Sequence, residues 1–157
     1  MAEALAAVLA GGDVIVLTGD LGAGKTCFTQ GLGRGLGVED RITSQTFTLA
    51  NRYDGRLRLN HLDVYRLESV AESIDLGLDE LVEDGVTVIE WGDRIEQVLP
   101  VQHLLVRLHY PEPSADLDPA DLDDVVLDQR LIDIVIPAGG PWTQRDLGDL
   151  LGEWRDR

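Results

Sequence analysis

The feature that most constrains this chain is the run Gly19-Asp20-Leu21-Gly22-Ala23-Gly24-Lys25-Thr26, set between an apolar run and a helix-forming segment. It matches G-x-x-x-x-G-K-[ST], a pattern with meaning only where a strand leads in and a helix leads out. Both flanks are present. Val14–Leu17 is apolar and β-branched, as in a strand buried on both faces of a parallel sheet. Lys25–Leu36 reads as a helix, in which Gly31, Gly33 and Gly35 mark close packing rather than an early end. A strand that feeds a glycine loop into a helix commits the chain to the α/β class.

The loop's residue types suit a phosphate group. Glycines let backbone N–H groups curl around anionic oxygens with no Cβ in the way. The helix that follows turns its positive dipole end toward the anion. Lys25 supplies a compact charge between the β- and γ-phosphates, and Thr26 a hydroxyl for Mg²⁺. Lys25 is the only lysine among 13 basic residues. A chain that otherwise uses arginine has kept its one compact cation where phosphates need it.

Around this unit, Ala2–Ala10 reads as a short helix closed by Gly11-Gly12. Phe47–Tyr53 and Arg56–Val64 flank Asp54-Gly55, a hairpin turn. Ser69–Leu81 is expected to be helical, with a break at Gly77. Val86–Trp91 is a second buried strand, and Asp93–Val98 a short helix stopped by Pro100. Leu104–Tyr110 and Leu131–Ile136 are expected as an antiparallel pair, and Thr143–Trp154 as a terminal helix. Pro111–Asp128, with seven acids and no base, reads as a loop. Residues 1–157 are expected to form a single domain.

Twenty-nine acids against 13 bases leave a net charge of −16. That opposes unaided binding to nucleic acid or to anionic membranes. Cys27 is the only cysteine, and His61, His103 and His109 have no metal-ligand spacing. No basic leader with an apolar core opens the chain, and no apolar run approaches a membrane span, so the expected location is cytoplasmic.

Hydrolysis at a phosphate loop also needs a carboxylate for the metal and a group that orients water. Glu90 ends an apolar strand and is followed by Trp91, which is expected to line the site. In His61-Leu62-Asp63-Val64-Tyr65-Arg66, residues 61, 63 and 65 share a strand face, the pattern of a solvated edge hairpin. Either Glu90 or Asp63 can hold Mg²⁺ through water while the other positions the attacking water. Arg52 and Arg66 are within possible reach of phosphate; Trp142 and Trp154 read as packing residues.

Taken together, the loop at 19–26, Thr46-Phe47-Thr48-Leu49, His61-Leu62-Asp63-Val64-Tyr65-Arg66-Leu67, Gly77-Leu78, and Glu90-Trp91 with Leu99-Pro100 resemble the bacterial TsaE family, the ATPase of tRNA threonylcarbamoyladenosine biosynthesis. The likeness covers about residues 10–110. It implies a P-loop three-layer αβα sandwich with a mixed, mostly parallel sheet and an added antiparallel hairpin. It implies ATP and Mg²⁺ as cofactors, and the TsaB and TsaD proteins as partners that install the threonylcarbamoyl group on the adenosine next to the anticodon, with tRNA met only indirectly. By position it places Gly19, Asp20, Leu21, Gly22, Ala23, Gly24, Lys25, Thr26 and Cys27 on the nucleotide. It also implies that Thr26 and Glu90 hold Mg²⁺, that Asp63 and Lys25 serve hydrolysis, that Trp91 lies near the nucleotide, and that Thr46 belongs to a switch segment over the γ-phosphate. The sequence departs from the family at Cys27 (usually Thr), Gln45 (usually Pro) and Gly92 (often Pro). It also starts inside the first helix, after the family's usual strand and base-proximal Thr.

Two other functions use such a loop. A small-molecule kinase needs an arginine-bearing lid, and Pro111–Asp128 has no arginine. A non-hydrolytic nucleotide switch needs only ATP-ordered loops.

Overall fold

The computed structural model describes residues 1–43, 50–67, 77–111 and 129–148. Along these, the elements run α1 (Ala2–Ala6), β1 (Val14–Thr18), α2 (Lys25–Leu36), β2 (Ala50–Tyr53), β3 (Leu59–Asp63), α3 (Leu78–Glu83), β4 (Val86–Glu90), β5 (His103–His109) and β6 (Leu131–Val135). Two 3₁₀ turns, Gly92–Val98 and Pro141–Gln144, complete the set. The six strands form one sheet in the order β2-β3-β4-β1-β5-β6. β1 is parallel to β4 and β5, and β3 is parallel to β4. The outer pairs, β2–β3 and β5–β6, are antiparallel. The mixed, mostly parallel α/β sheet is therefore as expected.

Side-chain alternation sorts the two faces. Ile15 and Leu17, Val86 and Val88, and Leu104, Val106 and Leu108 pack against Phe28, Leu32 and Leu36 of α2 and Leu5 and Ala6 of α1. Val14 and Val16, Leu62, Val64 and Ile89 pack on the other face with Leu78 and Leu81 of α3 and with Ile95. Each fully buried leucine contributes roughly 1.5–3 kcal/mol. Among the described residues, this second layer contains α3 and the 3₁₀ turn Gly92–Val98.

The glycines of α2 carry the close packing expected of them. A Cβ on Gly31 would lie 2.7 Å from that of Ala2, and one on Gly35 2.5 Å from that of Ala6. This i, i+4 pair makes the groove into which α1 fits.

Several expectations change. The segment expected as an edge hairpin is not at the edge: β2 takes that position, and β3 lies between β2 and β4. Its face is covered by α2, so His61 is buried. The first helix is shorter, ending at Ala6. The helix after Trp91 is 3₁₀, kinked at Ile95. Where the terminal helix is expected from Thr143, a 3₁₀ turn at Pro141–Gln144 ends at Arg145 in an extended conformation; helical residues are found at 147–148, and residues 149–154 lie outside the described residues. Residues 69–76 of the Ser69–Leu81 helix, the 112–128 part of the acidic loop, and Trp154 lie outside the described residues. The rest of the former begins at Gly77, whose left-handed φ of +62° caps α3.

Candidate functional site

Parity along the strands places the chemistry. Glu90 follows Val86 and Val88 onto the α2 face, and His61 and Asp63 follow Leu59. Asp63 and Glu90 are register partners on neighbouring parallel strands, at the carboxyl end of the sheet. Leu17 is Glu90's register partner on the other side, so the loop after β1 opens at the same level. Ligands of open α/β sheets bind at this end.

Gly19 holds the loop against β5. Its φ is +132°, and a Cβ there would lie 1.9 Å from the Leu108 carbonyl oxygen, so no other residue fits. Gly24, at φ +103°, is the N-cap of α2 and offers no side chain to its first turn. First-turn N–H groups have no partner within their helix, which makes this turn an anion nest.

Lys25 is 5% exposed. Its Nζ donates to the carbonyl oxygens of Gly19 (2.6 Å) and Asp20 (2.7 Å), and stands 3.4 Å from the centroid of the Trp91 ring. Burial lowers its pKa, against the opposing pull of the Glu90, Asp63, Asp20 and Asp93 carboxylates.

Glu90 is 2% exposed, and both of its carboxylate oxygens accept hydrogen bonds. Its Oε2 accepts from Thr26 Oγ1 at 2.9 Å. Its Oε1 accepts from His61 Nε2 at 2.8 Å and Thr29 Oγ1 at 3.2 Å. The hydroxyl of Thr26 spends its proton on Glu90, which leaves its oxygen lone pairs for another partner. A hydroxyl and a carboxylate side by side are the hard oxygen donors that suit Mg²⁺, which keeps waters and phosphate oxygens for its other positions. The residues present fit that ion.

Asp63 is half-buried, and its Oδ1 accepts from the Tyr65 amide at 3.1 Å. Trp91 carries the left-handed φ of +64°, unique among the described non-glycine residues. Such a conformation costs about 1–2 kcal/mol and aims the indole at Lys25. Its amide donates to the Leu17 carbonyl at 2.9 Å, and its ring meets Tyr65 at 4.8 Å. A Cβ on Gly92 would lie 2.4 Å from Val16 Cγ1.

The structure thus brings Lys25, Thr26, Glu90, Asp63 and Trp91 together around the loop Gly19, Asp20, Leu21, Gly22, Ala23, Gly24. Within the loop, Ala23 is buried and Leu21 is 79% exposed. Cys27 is exposed. It lines a cavity of about 390 Å³ with Met1, Gly24, Phe28, Leu108 and Arg130, adjoining the loop. Arg52 and Arg66 are exposed. Thr46 lies outside the described residues. Two members of the cluster, His61 and Thr29, were given no site role from the sequence, although His61 was placed on the face of Asp63. The available signal for His61 was its shared parity with Asp63; Thr29 lies one helical turn after Lys25.

The family model described as threonylcarbamoyl adenosine biosynthesis protein TsaE matches residues 1–116. The tRNA threonylcarbamoyladenosine biosynthesis protein TsaE of Treponema pallidum is 52% identical over 98 residues, which are 62% of this chain and 73% of that protein. Its namesake from Bacillus subtilis is 49% identical over 108 residues, 68% of this chain and 67% of that one. The crystal structure of YdiB from Bacillus subtilis is similar at a TM-score of 0.69 and 36% identity, covering 97% of this chain and 84% of that one.

Proposed function

This chain belongs to the TsaE family of threonylcarbamoyl adenosine biosynthesis proteins, and from that premise we propose that it is a cytoplasmic, Mg²⁺-dependent ATPase subunit of tRNA threonylcarbamoyladenosine synthesis that acts through the TsaB–TsaD complex. The observation that carries the reading is the contact between Thr26 of the loop and Glu90 of the neighbouring parallel strand. A glycine-rich turn that matched the motif by chance would have no reason to meet a buried carboxylate there.

In this reading the amide nest and the α2 dipole hold the phosphates. Lys25 exchanges the carbonyls of Gly19 and Asp20 for β- and γ-phosphate oxygens. Thr26 and Glu90 hold Mg²⁺, which when bound neutralises phosphate charge. Asp63 orients the attacking water and accepts its proton as the γ-phosphoryl group leaves ADP. The cavity beside Cys27 receives the nucleoside.

The net charge of −16 gives tRNA no basic footprint, so the RNA contacts are assigned to the partners. Phosphate release measured with and without TsaB and TsaD tests the proposal. Stimulation by the partners is expected. ATP binding with no release under either condition makes the protein a switch, and phosphate on a small acceptor makes it a kinase.

A further inference from the structure

We propose that His61 is a positioning residue for the metal pair: it pins Glu90 Oε1 so that Oε2 stays on Thr26. The inference rests on the nucleotide-site reading above and assigns a role to a side chain that this reading leaves unused.

Among the described residues, three donors reach the Glu90 carboxylate, and they are not equal. Thr29 has one hydroxyl proton and two acceptors at the same 3.2 Å, Glu90 Oε1 and the Lys25 carbonyl, so its proton is shared. Thr26 serves Oε2 at 2.9 Å, and its oxygen is the one that the reading above gives to Mg²⁺. His61 Nε2 lies 2.8 Å from Oε1 and is the one donor committed to that oxygen. The acceptor-only carboxylate assigns the proton to Nε2.

The other ring nitrogen, Nδ1, is buried and has no hydrogen-bond partner among the described residues. A buried polar atom without a partner carries a penalty. A histidine kept for packing alone would be matched at lower cost by an apolar residue. The tolerated penalty marks Nε2 as the functional atom. β3 makes the contact rigid: its register against β4 places His61 opposite Val88, one turn of parity behind Asp63 and Glu90. A glutamate has three side-chain torsions, and without this donor Oε1 is left with half a hydroxyl.

The test is ATP affinity by calorimetry in Mg²⁺ and in EDTA, on the full chain, with a thermal melt of each variant. His61→Leu should lose about tenfold or more in Mg²⁺, the usual cost of removing the partner of a metal ligand, and keep wild-type affinity in EDTA. His61→Gln, which returns an N–H donor near the Nε2 position, should restore most of the Mg²⁺ effect. Wild-type Mg²⁺ dependence in His61→Leu overturns the inference and leaves the nucleotide site standing, as does equal loss in Mg²⁺ and EDTA, or failure of His61→Gln to rescue. A wild-type protein that binds ATP equally in both buffers overturns the metal reading itself. Should His61→Leu lose its melting transition, His61→Asn, whose amide matches the Nδ1 position and falls short of Oε1, takes its place: the same selective loss in Mg²⁺ is expected, and wild-type Mg²⁺ dependence there overturns the pinning of Oε1.

Discussion

At the amino end of β1 the Asp13 carboxylate meets the Arg145 guanidinium, whereas at the carboxyl end Lys25 is held by backbone carbonyls and an indole face, and Glu90 by two hydroxyls and an imidazole ring. Arg145 donates to both Asp13 oxygens, with Nη2 at 2.9 Å, and stacks on Trp142 at 4.5 Å. Asp13 Oδ2 also accepts from the Ala10 amide at 2.7 Å. That pair is charge-complete and ties the chain's last described segment to its first strand. Lys25 donates to two carbonyls under an indole face, and Glu90 accepts from two hydroxyls and an imidazole. The carbonyls solvate the buried Lys25 ammonium through hydrogen bonds, with no carboxylate bonded to it directly among the described residues. The first end is built to hold; the second retains electrostatic capacity for a ligand.

Replacing Lys25 breaks this contrast most sharply. Lys25→Met should abolish ATP binding in calorimetry while the free protein melts no lower than wild type, because a buried charge leaves with it. A clearly lower melting point would show that Lys25 is structural, like Arg145. At the other end, Arg145→Met should cost about 3 kcal/mol in urea unfolding, since it strands a buried carboxylate, and leave ATP affinity unchanged. Asp63→Asn should retain ATP binding and lower phosphate release about 100-fold; normal turnover would remove Asp63 from the hydrolytic role. Gly31→Ala should overpack the α1–α2 groove and cost about 1–2 kcal/mol, with no change in the Mg²⁺ dependence of binding.

The smallest effect is in pH. A lysine whose pKa is lowered by folding binds fewer protons folded than unfolded, so its contribution to stability rises with pH between the lowered value and the ordinary 10.5. The stability advantage of Lys25→Met should therefore shrink as pH rises through that window. An advantage that is flat with pH would mean the lysine is not penalised by burial.

Legibility followed sequence distance. Strand, glycine loop and helix over residues 14–36 are contiguous, and each residue's task there is set by its immediate neighbours. α2 occupies Lys25–Leu36 as expected. Asp63 and Glu90 were recognisable as strand-end acids, but the residue pattern left their division of labour open and only the family resemblance proposed one, because it turns on which acid Thr26 meets. His61 was misjudged for a specific reason. Alternation says which residues share a face but not whether that face is covered, and here α2 covers it. Arg145 and Asp13, 132 positions apart, had no local signal at all.

The amino-acid sequence by itself determined the α/β class, the anion nest and its single lysine, because glycine torsions, helix dipoles and side-chain charge are local properties. Only the tertiary structure decided that Glu90 is the acid on Thr26, that His61 stands behind it, and that Trp91 turns its ring onto Lys25. Those contacts depend on strand order and register, which arise when separate segments compete for one core.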